Sequence, residues 1–134
     1  MKVEELRVGN LIYGKTDKGT KVCRVDTLQE ISKNAYFVAV RSTDGIDYRT
    51  KVDDEHNNIE PIPITDELLF KNGFEQCGYI FKTLFIEMYE VANGWHLHID
   101  NERFETALSI TIKYVHQLQN AYYIATGKEL EIKL

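Results

Sequence analysis

Hydrophobic positions before residue 61 come in short runs that are separated by turn-forming residues. Such runs occupy Leu11–Tyr13, Lys21–Val25 and Tyr36–Val40, and Tyr48–Val52 could form another short strand. The polar segment Gly14–Gly19 and the pair Asp44-Gly45 are typical of turns. Four or five short strands in this space predict a small curled sheet of the SH3-like type. An open β-meander packed on the second half is the alternative prediction.

The only two prolines, Pro61 and Pro63, stand almost together. Proline fixes φ and biases the residue before it toward extended geometry, so this stretch is typical of a connector or an edge strand. It therefore marks the predicted boundary between a β subdomain at residues 1–64 and an α+β subdomain at residues 65–134. We expect the two to pack together as one compact unit.

After the boundary the pattern changes from turns and short runs to a helix followed by strands. Thr65 is a suitable N-cap and Gly73 a suitable C-terminal residue for a helix of about two turns. A mixed segment, Tyr79 to Tyr89, is the first strand candidate. Trp95–Asp100 and Leu108–Lys113 then alternate strictly between apolar and polar residues, which is typical of an antiparallel sheet with one buried face.

The last long element has apolar residues at helical spacing: Val115, Leu118, Tyr122 and Ala125. Gly127 should end this helix, and the alternating segment Leu130–Leu134 could add a short strand. The predicted fold class is therefore α+β: a small SH3-like β-barrel or meander, followed by an α-β-β-β-α domain with an antiparallel sheet.

Composition and charge narrow the class of protein. The 134 residues include 16 Lys+Arg and 21 Asp+Glu, a net charge of -5, which argues against a polybasic nucleic-acid binder. Residues 66–134 hold -4 of that charge. No signal-peptide segment and no apolar run of ~20 residues is visible, so we expect a cytoplasmic protein without membrane association. Cys23 and Cys77 are then expected to be free thiols.

His96, His98 and Asp100 alternate along one predicted strand and so project from the same face. A His-x-His pair with a carboxylate could bind zinc or another divalent ion, although further ligands would be needed. The simpler interpretation is that these three residues form the polar face of a strand whose other face is core. We accordingly expect no cofactor.

Two further groups of polar residues are candidates for binding. In the last helix, His116, Gln117, Gln119 and Asn120 could contact a partner or form a hydrogen-bond network; we place His116, Gln117 and Asn120 on its polar side, with Gln119 flanking the apolar stripe. The richest basic stretch, with Tyr13, Tyr36 and Tyr48 in the same half, is a candidate nucleic-acid surface, and it contains Lys15, Lys18, Lys21 and Arg24. An ordinary charged hairpin is the simpler interpretation of that stretch. The acidic segment 53–58 lacks the glycine and glutamate that an EF-hand loop requires.

Four segments, in order, resemble a family of small uncharacterised proteins of gut bacteria, their phages and mobile elements. They are Glu5–Ile12, Ile59–Thr65, Leu68–Glu75 and the ending Ile112–Asn120 with Thr126–Leu130. The His-Gln-Leu-Gln-Asn block in the ending is the most specific part. The resemblance implies a phage or mobile-element accessory protein that works inside the bacterial cell, and it supplies no activity and no catalytic residues.

These observations favour a non-enzymatic accessory protein whose partner is another protein, because the chain is acidic and rich in aromatic residues. The expected surface is the polar side of the last helix together with the exposed strand face. A nucleic-acid module that uses the basic hairpin is the first alternative. A small metal-dependent enzyme built on His96 and His98 is the weakest of the three hypotheses.

Overall fold

The computed structural model describes residues 3–16, 18–52, 57–100 and 107–134, with the side chains of Thr16, Tyr48 and Ala107 left out. The chain divides into two compact units, Met1–Ile62 and Pro63–Leu134. Each unit contains one five-stranded sheet, and every strand pair is antiparallel. Within the described residues, no helix is long and apolar enough to cross a membrane.

The first unit begins with one turn of 3-10 helix at Val3–Glu5. Its sheet has the strand order β4-β3-β2-β1-β5. Two register shifts interrupt the pairing of the long second strand, between Val25 and Thr27 and between Glu30 and Ser32. Because a bulge bends the strand that contains it, these shifts help the sheet to curl. The strands are β1 Leu11–Thr16, β2 Gly19–Ser32, β3 Ala35–Ser42, β4 Asp47–Val52 and β5 Ile59–Glu60.

The concave side of this sheet holds the core of the first unit. Ile12, Cys23 and Val38 are fully buried there and pack with further aliphatic residues of β2 and β3. Gly14 is also buried within β1, so the predicted turn at Gly14–Gly19 is wrong in its first half. The strand content and the curled sheet agree with the coarse prediction, while the SH3-like type stays a prediction.

The second unit contains the other sheet, with the order β10-β9-β8-β7-β6, and two helices. The predicted strand from Tyr79 to Tyr89 is in fact two strands joined by a turn, and the strand before it was not predicted. The elements are α1 Asp66–Lys71, β6 Glu75–Cys77, β7 Ile80–Lys82, β8 Ile86–Val91, β9 Gly94–Asp100, β10 Ala107–Ile112 and α2 Val115–Thr126.

Helix α1 begins and ends where its sequence predicts. The Oγ1 atom of Thr65 accepts a hydrogen bond from the backbone N–H of Leu68 at 3.2 Å, which is the N-cap interaction. Gly73 has a φ of 82° and follows the last turn. The N–H of Phe74 then donates to the carbonyl of Leu69 at 3.0 Å, as in a Schellman motif. The predicted two-turn helix is confirmed.

The strict alternation of β9 is confirmed as well. Trp95, Leu97 and Ile99 are buried, and the residues between them are half-buried. The Trp95 Nε1–H donates to the carbonyl of Ile64 at 3.2 Å, which connects the sheet to the segment before α1. Helix α2 packs against β9 and β10. It covers the side of the sheet that holds the buried residues of β9, and the other side stays accessible.

The chain after α2 does not add a strand. Gly127 ends the helix with a φ of 73°, as predicted, but Leu130–Leu134 has no strand partner among the described residues. Instead, the side chain of Asn72 holds this segment through the backbone of Lys133. Its Nδ2 donates to the Lys133 carbonyl at 2.8 Å, and its Oδ1 accepts from the Lys133 N–H at 2.7 Å.

Candidate binding surface

The side of the second sheet opposite α2 is accessible, and we call it the open face. Cross-strand partners share a face, so the register places its residues in two rows that cross all five strands. None of these residues is buried. One row contains Cys77, Ile80, Tyr89, His96 and Thr111, and the other contains Glu75, Lys82, Glu87, His98 and Ser109.

Three rings lie side by side along the first row. Tyr79, in the turn before β7, meets Tyr89 edge to face with ring centroids 5.8 Å apart. Tyr89 in turn lies 5.0 Å from the imidazole of His96, its direct cross-strand partner. Tyr79 is 73% exposed. We call these three residues the aromatic row; a large, accessible ring surface of this kind is typical of the centre of a protein interface.

Charged groups flank the aromatic row. Lys82 Nζ and Glu87 Oε1 lie 3.4 Å apart, and Nε2 of His98 lies 3.1 Å from Oδ1 of Asp100. With Glu75, the open face has three carboxylates among its described side chains, and its ammonium groups are those of Lys82 and, at the end beside Gly94, of Lys113. The surface therefore combines rings with a small excess of carboxylates over ammonium groups.

The predicted metal site has the geometry of a strand face but not of a metal centre. His96, His98 and Asp100 do share the open face. However, Nε2 of His96 lies 2.9 Å from Oγ of Ser109, and Nε2 of His98 faces the carboxylate of Asp100. Among the described residues, no group of three or more His, Cys, Asp or Glu side chains could hold a metal ion.

These hydrogen bonds do not assemble a catalytic triad either. In a Ser-His-Asp relay, one imidazole contacts both the hydroxyl and the carboxylate. Here Ser109 contacts His96, whereas Asp100 contacts the neighbouring His98. The hydroxyl and the carboxylate thus belong to two different pairs.

Two of the four predicted partner-binding residues of α2 are buried. His116 is 0% and Gln119 is 1% exposed, so the prediction that His116 lies on the polar side of the helix is wrong. The ring of His116 stacks parallel to that of Tyr114, with centroids 5.8 Å apart. Gln117 and Asn120 remain half-buried, and their contribution to partner binding stays a prediction.

The first of these amides has a structural task at the start of the helix. Oε1 of Gln117 accepts hydrogen bonds from the backbone N–H groups of Lys113 and Tyr114, at 2.8 and 3.1 Å. It thereby reaches back to the helix start as in a capping box. Since α2 covers the apolar side of the sheet, its outer surface and the open face lie on opposite sides of this unit. They cannot form the single surface that the sequence predicted.

The basic hairpin does not present its cations on one side. Lys15 lies two residues from Tyr13 and shares its face, and Arg24 lies on that same outer face by register. Lys21 pairs with the buried Gly14 and so belongs to the opposite face, while Lys18 lies in the turn. The four cations are therefore divided between two faces and a turn.

Carboxylates also neutralise part of this charge. Nζ of Lys15 lies 2.6 Å from Oε1 of Glu60, on the neighbouring β5. The ammonium group of Lys21 pairs with Asp44, and this contact, with a hydrogen bond from Ser42, lowers the pKa of Asp44 to about 2. The nucleic-acid role of the hairpin stays a prediction, and its geometry favours a solvated charged hairpin.

The remaining candidates have simpler outcomes. Tyr36 packs against the core of the first unit, and the side chain of Tyr48 lies outside the described residues. Asp53–His56, most of the acidic segment, also lies outside them. Both cysteines are free, with Cys23 buried and Cys77 exposed. Burial raises the pKa of the Cys23 thiol, which keeps it protonated.

No family model matches the chain. Comparisons with curated proteins and with solved structures likewise find no match.

Sequence reasoning missed the aromatic row, although one signal for it was present. Tyr89 and Glu87 alternate with the buried Ile86 and Met88 in the same way that the histidines of β9 alternate with its core residues. This period of two predicts a second strand with an accessible face. Only the register shows that Tyr89 lies directly opposite His96.

Proposed function

We propose that this chain is a non-enzymatic binding protein whose open face contacts a partner protein. The observation that supports this function best is the aromatic row of Tyr79, Tyr89 and His96 on an accessible sheet face. Tyrosine contributes strongly to protein interfaces because it supplies a large rigid contact area together with a hydroxyl group.

The polar groups beside the rings suit this function. Ser109 and Thr111 on β10 are exposed, and the hydroxyl of Ser109 already contacts the imidazole of His96. Such groups form a polar rim around an aromatic centre, as typical interfaces do. A protein partner also agrees with the acidic charge of this half of the chain, which opposes binding of a polyanion.

A selection from a library of random displayed peptides tests this proposal with the whole purified chain as target. The affinity of each selected peptide is measured for the native chain and for the variants Tyr79→Ser and Tyr89→Ser. We expect the first substitution to weaken binding about tenfold, the loss of one central aromatic contact. Because Tyr79 is largely exposed, this variant should keep its fold, which far-UV circular dichroism verifies.

The matched control is Tyr123→Ser, which removes a 42% exposed tyrosine from α2, on the other side of the sheet. Its affinity for the selected peptides should equal that of the native chain. The proposal fails if no peptide is enriched over an unrelated protein. It also fails if the selected peptides bind the Tyr79→Ser and Tyr123→Ser variants equally.

We also propose two more specific properties of this chain. An SH3-like first unit and an accessory role in a phage or mobile element, inside a bacterial host cell, are consistent with a small binding protein. Their support remains the strand pattern and the resemblance of the four sequence segments.

A further inference from the structure

We infer that the partner segment bound by the open face is cationic, with lysine or arginine side chains that contact the tyrosine rings and the neighbouring carboxylates. This inference rests on the proposed function of the open face. It concerns the chemistry of the partner and is argued from the distribution of charge and of ring surface over the two rows.

The charge of the open face is complementary to that of a cationic segment. Glu75, Glu87 and Asp100 lie on the open face, whereas its described Lys and Arg residues are Lys82 and, at the end beside Gly94, Lys113. The side chains of Glu87 and Asp100 are 44% and 47% exposed, so a partner can approach both. An acidic or nucleic-acid partner would meet repulsion there, whereas a cationic segment is attracted and oriented.

The arrangement of the tyrosine rings also suits a bound cation. The rings of Tyr79 and Tyr89 meet edge to face, and most of the Tyr79 side chain remains exposed to solvent. An ammonium or guanidinium group is attracted to the face of a tyrosine ring, and the attraction grows as the site is desolvated. Because Glu87 lies two residues before Tyr89 on the same face of β8, one bound cation can contact a ring and a carboxylate together.

The test uses the peptides selected on the native chain. We expect them to be enriched in lysine and arginine relative to the starting library. Replacing those residues by glutamine in the best synthetic peptide should weaken its binding about tenfold or more, since each lost ring contact or exposed ion pair accounts for a factor of about two to five. The affinity for the native peptide should also fall when the salt concentration rises.

A pair of charge-matched variants locates the effect. Glu87→Gln should weaken binding of the lysine-containing peptide about threefold or more, because it removes one carboxylate and leaves Lys82 uncompensated. Glu131→Gln makes the same change of net charge at an exposed position outside the sheet, and it should alter the affinity by less than about 1.5-fold.

The outcomes separate this inference from the proposed function. Peptides that need Tyr79 but show no lysine or arginine enrichment would overturn the cationic partner and leave the binding function standing. Equal effects of Glu87→Gln and Glu131→Gln would also overturn it, since attraction would then depend on net charge alone. Tyr79-dependent binding of an oligothymidylate in place of peptides would overturn both.

Discussion

Replacing Gly14 by alanine should destabilise the first unit, because the new methyl group has no room. A Cβ atom at this position would lie 2.9 Å from Sγ of Cys23, closer than such atoms pack. Overpacking of a core typically costs about 1–3 kcal/mol. Alanine is favoured over glycine within a strand by about 0.5–1 kcal/mol, which offsets only part of that cost. We expect a net loss of about 1 kcal/mol in the free energy of unfolding.

A second substitution shows whether this contact is the cause. Cys23→Ala alone removes a fully buried sulfur and should cost about 1 kcal/mol. In the double variant, the methyl group of residue 14 occupies the space that Sγ has left. The double variant should therefore be more stable, by about 1 kcal/mol, than the sum of the two single effects implies.

Urea-induced unfolding followed by far-UV circular dichroism measures all four proteins of this cycle. With a slope of about 2 kcal/mol per molar urea, a loss of 1 kcal/mol lowers the midpoint by about 0.5 M. Cys77→Ala is the matched control, because Cys77 is exposed and its substitution should leave the midpoint unchanged. Additivity of the two single effects within about 0.3 kcal/mol would refute the packing argument.

Three further predictions concern helix ends and pH. Thr65→Ala removes the N-cap of α1 and should lower the free energy of unfolding by about 1 kcal/mol in the same urea assay, with Thr65→Ser as the conservative control. Asn72→Ala removes both hydrogen bonds to the backbone of Lys133, so amide exchange at Lys133 should accelerate while exchange in β9 does not. The ammonium of Lys21 lowers the pKa of Asp44 from 3.8 to about 2, so this pair stabilises the fold above about pH 4 and loses its effect as the pH falls toward 2. Thermal unfolding should show a smaller acid-induced decrease for Asp44→Asn than for the native chain.

The elements that the sequence predicts well are those with one buried face. Trp95–Asp100 alternates strictly because its odd-numbered residues enter the core and its even-numbered residues do not. Helix α1 is delimited by local chemistry, an N-cap at Thr65 and a left-handed glycine at Gly73. The alternation and the capping residues each involve only a few neighbouring positions, so both can be recognised without knowledge of the tertiary structure.

The division between β7 and β8 could not be predicted in this way. The turn spans residues 83–86. Its first and last residues, Thr83 and Ile86, exchange backbone hydrogen bonds at 2.9 and 3.3 Å, and Leu84 and Phe85 are the two central residues. Neither of the two central residues is a turn former, and Leu84 is 82% exposed. Without a turn signal, the mixed segment from Tyr79 to Tyr89 resembles one continuous strand, and only the pairing of β7 with β8 reveals the reversal.

The burial of two polar residues in α2 could not be predicted from the sequence either. His116 and Gln119 lie on α2 among residues that a helical pattern assigns to either side of the stripe, and polarity alone favours the accessible side. Their burial depends on what the rest of the unit packs against them, such as the ring of Tyr114 beside His116. Part of the His-Gln-Leu-Gln-Asn segment of α2 is therefore interior, and the candidate binding surface lies on the other side of the sheet.

The open face depends on one close approach of the backbone. Gly94 begins β9 with a φ of 143°, and a Cβ atom there would lie 2.4 Å from the carbonyl oxygen of Ile112. Glycine is required because no side chain fits between β9 and the neighbouring strand at this point. The turn before Gly94 sets the register in which Tyr89 pairs with His96. A shift of this register by one residue would place one of the two rings on the buried face of the sheet. Gly94, the second residue of an Asn-Gly pair typical of hairpin turns, thus also contributes to the register that brings Tyr89 opposite His96.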